Sequence, residues 1–122
     1  MALNDLLENF RGIKGFLAAG ILDFTGDVLE TIAEDENIDL AMVGATYTDT
    51  FRNANEASAK IGLEEANEMT IVTPKGVVII SSTGIDAPVN ALIIVILDAD
   101  GNQALTRMNM KKVVPEIIKE LG

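Results

Sequence analysis

The run "ALIIVIL", Ala91–Leu97, has seven apolar residues in succession and nothing polar to turn toward water. A strand with no alternation must be buried on both faces. "VVII", Val77–Ile80, has the same character. A sheet built around such strands needs helices on each side, and this requirement restricts the chain to a three-layer α/β/α sandwich. The 122 residues favour one domain spanning 1–122, and an apolar content of 48% is enough to give it a core.

The remaining elements follow from hydrophobic spacing. Leu3, Leu6, Leu7 and Phe10 recur at helical intervals, with Gly12 as the stop. Phe16–Phe24 reads as a buried strand, Thr25-Gly26-Asp27 as a turn, and Val28–Ile32 as a shorter strand, together making a hairpin. An acidic loop leads to Asp39, which can cap a long helix ending at Gly62. Two strands follow around a Pro-Lys-Gly turn, then Ala91–Leu97 as the last strand. Leu105, Met108, Val114, Ile117, Ile118 and Leu121 outline a final helix, which Pro115 should kink.

The order is therefore helix, two strands, helix, three strands, helix. If Phe16–Phe24 and Ala91–Leu97 pair centrally, the five-stranded, mostly antiparallel sheet has the order 2-1-5-4-3. Val28–Ile32 and Met69–Thr73 then form its edges. The second edge, Met69, Thr70, Ile71, Val72 and Thr73, has no charge, lysine or proline to discourage pairing. It reads as a dimerisation edge.

The long helix has three lines of interest. Leu40, Val43, Tyr47, Phe51, Ala54, Ser58 and Ile61 form the apolar stripe. Ala41, Gly44, Ala45 and Thr48 form a line of small residues beside it. That line either seats the helix on its own sheet or meets a second helix across a dimer. Thr46, Asp49, Thr50, Asn53 and Glu56 lie on the polar side, grouped by neighbouring turns and open to a partner.

"LDADGN", with acids at Asp98 and Asp100, invites a catalytic or calcium-binding reading. A calcium loop aligned on Gly101 would have Ile96 at position 1 and Arg107 at position 12, so its anchoring ligands are missing. The stretch also resembles the strand–DxDG start of the haloacid-dehalogenase phosphatases. Only one helix remains after it, too little chain for the rest of that site. Tight-turn chemistry is the better account, and "DFTGD" at Asp23–Asp27 repeats it. Asp23, Asp27, Asp98 and Asp100 could approach one another at one sheet end and hold a weak cation, although solvated turn acids are the commoner outcome.

The chain has no histidine and no cysteine, so the familiar nucleophilic systems and thiolate metal sites are excluded. It has no Walker-type phosphate loop. No enzymatic activity, cofactor or metal is expected. A net charge of −10 opposes nucleic acid and anionic membranes as partners. Residues 1–70 contain fourteen acids and four bases, whereas 71–122 contain five of each. No segment reads as a signal peptide or membrane span, so a cytoplasmic location is expected.

Taken as a whole, the pattern resembles the Roadblock/dynein light chain domains, including the MglB-type regulators of Ras-like GTPases. "GFLAAGILDFTGDVLETI" is similar to the family's first hairpin. "DLAMVGATYTDTFRNANEASAKIGLEEANEMTIVTPKGVVIISS" is similar to its long helix and next hairpin, and "ALIIVILDADGNQALTRMNMKKVVPEIIKEL" to its last strand and helix. The resemblance implies a homodimer with paired edge strands and adjacent long helices. It also implies a partner, either a small Ras-like GTPase or a motor or scaffold complex. In such a complex the GTPase owns the catalytic residues; Arg11, Arg52 and Arg107 are the only arginines this chain could offer. The alternative is a small sensor or ligand-binding domain with a longin- or profilin-like layered fold.

Overall fold

The computed structural model describes residues 2–84 and 86–122. Its elements are α1 (Leu3–Glu8), β1 (Phe16–Asp23), β2 (Val28–Ala33), α2 (Leu40–Lys60), β3 (Glu68–Thr73), β4 (Gly76–Ser82), β5 (Ala91–Asp98) and α3 (Gln103–Leu121). The sheet has the order β2-β1-β5-β4-β3, and every neighbouring pair is antiparallel. This is the topology expected from the strand pattern.

β5 is the centre of the sheet, and its residues Ala91–Leu97 are buried without a break. It pairs Ile93 with Ile21 of β1 and Ile94 with Ile80 of β4. Ile93, Val95 and Leu97 face α1 and α3, in a cluster with Leu7, Phe10 and Ile117. Leu92, Ile94 and Ile96 face α2, in a cluster with Leu22, Leu40 and Phe51. The unbroken apolar run thus splits by alternation into two cores, one on each side. Each fully buried Ile or Leu contributes roughly 1.5–3 kcal/mol relative to exposure, so β5 holds the two layers to one sheet.

α2 begins where Asp39 accepts a hydrogen bond from the Met42 amide at 3.1 Å. It ends at Ile61, after which Gly62 takes a left-handed φ of 82°. α3 begins in the same way, with Asn102 accepting from the Leu105 amide at 3.0 Å. α3 runs as one element through Pro115, which is exposed. The hydrogen bond that Pro115 cannot make therefore lies on the solvent side, where water can meet the carbonyl one turn earlier.

The buried face of α3 differs from its expected stripe. Thr106, Met110, Val113 and Ile117 are buried, while Leu105 and Met108 are exposed. The reason is polar. The Thr106 hydroxyl donates to the Asn102 carbonyl at 2.8 Å, which satisfies it inside the core. A threonine satisfied by its own helix can occupy a core position that hydrophobic spacing does not reveal.

Candidate interaction surface

The Asp98 turn joins β5 to α3 and is closed by its own hydrogen bonds. Asp98 accepts the Asp100 amide at 2.9 Å, and the Gly101 amide donates to the Asp98 carbonyl at 3.1 Å. Gly15, at φ 84°, packs against this turn so closely that a Cβ would stand 2.5 Å from the Gly101 Cα. The Asp23 carboxylate organises the β1–β2 turn similarly. It accepts from the Thr25 hydroxyl and from the amides of Thr25 and Asp27. The Thr25 hydroxyl, outweighing partial burial, and then the turn amides hold the Asp23 carboxyl below the usual carboxylate range.

The two acid pairs are not neighbours. Asp23 lies opposite Ala91 at the start of β5, whereas Asp98 is at its far end. Seven strand steps separate them, about 23 Å at the usual rise. The weaker of the two readings, an approach of Asp23, Asp27, Asp98 and Asp100, is thus removed by antiparallel pairing, which puts the two turns at opposite ends of the sheet. Among the described residues, no three His, Cys, Asp or Glu side chains come together as a metal site would require.

The surface with most scope for binding is built on α2 and β3. α2 buries Leu40, Gly44, Thr48, Phe51 and Asn55. Gly44 packs on β1 and β2: a Cβ there would stand 2.5 Å from Leu22 Cδ2 and 3.5 Å from Val28 Cγ2. Thr48 is 1% exposed and donates its hydroxyl to the Gly44 carbonyl. Both residues are therefore occupied within the protomer, which is the seating alternative for the small-residue line. Ala41 and Ala45 are exposed, yet Ala45 also borders the β1–β2 turn at Gly26.

The opposite flank of α2 faces β3. Val43, Tyr47, Ala54 and Ser58 are half-buried along it, and Ile61 ends the line with 72% of its surface exposed. Thr46, Asp49, Thr50, Asn53 and Glu56 are all exposed on the outer side, so the structure does bring these five to one accessible face. Asp49 pairs with Arg52 at 3.2 Å, and the Thr50 hydroxyl donates to the Thr46 carbonyl.

The two sheet edges differ. On β3, Met69 and Ile71 pack toward α2, while Val72 is 70% exposed. Arg107 of α3 steadies this strand, reaching Glu68 at 3.1 Å and the Thr70 hydroxyl at 2.7 Å. On β2, the Thr31 amide donates to the Glu30 carboxylate at 3.1 Å. The amide of Glu34 donates to Leu17 on β1, and strand alternation from that bond directs Thr31 N–H outward. Glu30 thus covers a donor on the β2 edge, and nothing of the kind lies between Met69 and Thr73.

The three arginines all have partners within the chain. Arg11 bridges Glu8 at 2.8 Å and Glu34 at 2.7 Å, which lowers the Glu8 pKa and raises that of Arg11. Arg52 donates to the Phe24 carbonyl besides pairing with Asp49. Residues that sequence spacing did not single out are Met42 and Leu63, 73% and 69% exposed. Leu63 lies in "IGLEE", beyond the helix-stopping Gly62, and an aliphatic residue stranded after a stop was the available clue.

Comparison with solved structures identifies this architecture. No protein-family model matches the chain, and no curated protein matches it in sequence. A Roadblock/LC7 domain from Streptomyces avermitilis superposes with a TM-score of 0.84 at 14% identity, covering 99% of this chain and 98% of that one. MglB from Myxococcus xanthus gives 0.81 at 16% identity, covering 95% and 91%. An MglB with a tetrameric arrangement gives 0.84 at 13% identity, covering 96% and 85%. The chain has the Roadblock/LC7 fold. No helix among the described residues is long and apolar enough to cross a membrane.

Proposed function

We propose that this protein is a non-enzymatic regulatory module that dimerises through β3 and binds a small Ras-like GTPase on the outer face of α2. The observation that carries the reading is the contrast between the sheet edges. Glu30 covers a donor on β2, while Met69–Thr73 presents an uncharged edge with Val72 exposed. An open edge of that kind invites a further strand. Two identical strands related by a two-fold axis pair antiparallel, joining two sheets into one. The helices α2 then lie on the same side of the joined sheet, with Thr46, Thr50 and Asn53 of both copies facing outward.

The GTPase is inferred from the sequence pattern and from the fold shared with MglB. Each arginine is engaged with groups of its own chain, which supports action by binding rather than by inserting a catalytic arginine. The test is a pull-down against the small GTPases of the source organism, each loaded with GDP or a GTP analogue. Retention that depends on the nucleotide supports the assignment. If no GTPase is retained in either state, the assignment fails.

A further inference from the structure

The last buried position of α2 is polar. Asn55 follows Thr48 and Phe51 on the inward face of the helix and is 8% exposed. Its Oδ1 accepts from the Ala66 amide at 2.8 Å, which fixes how the side-chain amide is turned. The Nδ2 group brings further donors, and among the described residues no acceptor meets them. Nor is it sealed in the core, so it opens on the cavity that Asn55 lines. Thr48 and Thr106, the other buried polar side chains among the described residues, are satisfied by their own helices. A donor left open at so buried a position is a docking point for an acceptor from outside.

The cavity holds about 450 Å³ between the β1–β2 turn, the second half of α2, the segment before β3 and the loop before β5. Arg52, Glu56 and Glu65 are its charged walls, Phe24 is its apolar one, and Thr25 and Asn90 complete it. Arg52 gives one nitrogen to Asp49 at 3.2 Å and another to the Phe24 carbonyl, so the chain positions it while other N–H donors stay free. Glu56 and Glu65 are exposed and have no ion-pair partner among the described residues. One base against two acids leaves these walls with an excess of one negative charge, and Asp49 beside Arg52 deepens it.

We infer that the cavity binds a free basic α-amino acid, of the lysine or arginine type. Such a molecule has one carboxylate and two cationic groups, the converse of the walls. Its carboxylate accepts from Arg52 and from Asn55 Nδ2, which a purely cationic ligand would leave unmet. Its two cations take Glu56 and Glu65, and the methylene chain between them lies on Phe24. The inference goes beyond the GTPase reading and needs no partner protein, so its failure leaves that reading standing.

Calorimetry on the protein alone tests it. L-lysine or L-arginine, titrated to about 5 mM, should bind saturably with one molecule per chain. Cadaverine and agmatine are the same molecules without the carboxylate, and norleucine lacks the terminal cation. Nα-acetyl-lysine, with its α-nitrogen uncharged, stands for a residue at the end of a peptide. Each of these should bind about tenfold more weakly or worse, since each leaves a charged or buried group unpaired. No saturable heat with either amino acid overturns the inference, and so does any of these analogues binding as tightly as its parent.

Two variants locate the site. Glu65→Gln changes an exposed wall, so it should leave the thermal midpoint unchanged and weaken binding about tenfold. Asn55→Asp keeps an oxygen for the Ala66 amide but sets a carboxylate against that of the ligand, so binding should be lost. Wild-type affinity in Glu65→Gln overturns the inference even if Asn55→Asp fails to fold.

Discussion

Gly26, in the turn between β1 and β2, touches the backbone of Ala45 in α2: a Cβ on Gly26 would stand 2.8 Å from the Ala45 Cα. This contact sets how closely the first hairpin and the long helix approach. Gly26 also has a φ of 94°, which L side chains rarely adopt. Gly26→Ala should therefore destabilise the protein by about 2 kcal/mol in urea unfolding. Gly12→Ala serves as the control, because a Cβ there meets nothing within 4 Å and should change little.

Val72 is the residue to test on the β3 edge. Its side chain is mostly exposed, so Val72→Lys should leave the protomer folded while placing a charge on the pairing surface. Light scattering of the wild type should return about twice the 13.0 kDa chain mass. The variant should shift toward the monomer at the same concentration. An unchanged mass for the variant would exclude this edge from the contact.

Charge reversal on the outer face of α2 tests the partner surface. Asp49→Lys with Glu56→Lys should slow association with the GTPase, and the difference should shrink as salt rises. The fold should tolerate both changes, since the exposed Asp49–Arg52 pair contributes about 0.2–1 kcal/mol or less. Stopped-flow association rates at two ionic strengths separate the electrostatic contribution from loss of structure.

The Asp23 carboxylate links stability to pH. Its folded pKa is lowered, principally by the Thr25 hydroxyl, so the ionised form stabilises the folded state. That stabilisation is present above the unfolded value, about 4, and is lost as pH falls through the folded pKa. Asp23→Asn should reduce stability at pH 7 and flatten the decline between neutral and strongly acidic conditions. A parallel decline in both proteins would remove Asp23 from the account.

Removing the Asp39 cap should cost about 1 kcal/mol. Asp39→Ala leaves the Met42 amide without its side-chain acceptor, at the first turn of a 21-residue helix. The lower midpoint should appear in thermal and urea unfolding alike.

The strand order was legible because periodicity and burial agree along β4 and β5: an apolar run needs cover on both faces, and alternation then divides Ile79 from Ile80. The helix starts at Asp39 and Asn102 were equally open to reading, Asp39 from the cap rule and Asn102 from the turn before it. The small-residue line was ambiguous for a physical reason. Close approach to a helix requires small side chains whether the approaching surface is a partner or the helix's own sheet, and only coordinates show Gly44 against Leu22. The face of α3 was misplaced because Thr106 is polar by type and satisfied by geometry. A grouping of the four aspartates stayed open beside the favoured turn reading because a sequence shows turn chemistry but not the end of the sheet at which each turn falls.

The Glu30 carboxylate that takes the Thr31 amide has a consequence for aggregation. A sheet with two bare edges can add neighbours on both sides and grow without limit, the route by which ordered domains become fibres. With one of its donors taken by its own side chain, the β2 edge is a poorer template for strand addition than β3. A sheet paired through β3, as proposed, would leave only that partly covered edge to propagate. Glu30→Val would uncover the Thr31 donor and make the remaining edge a better template for further strands.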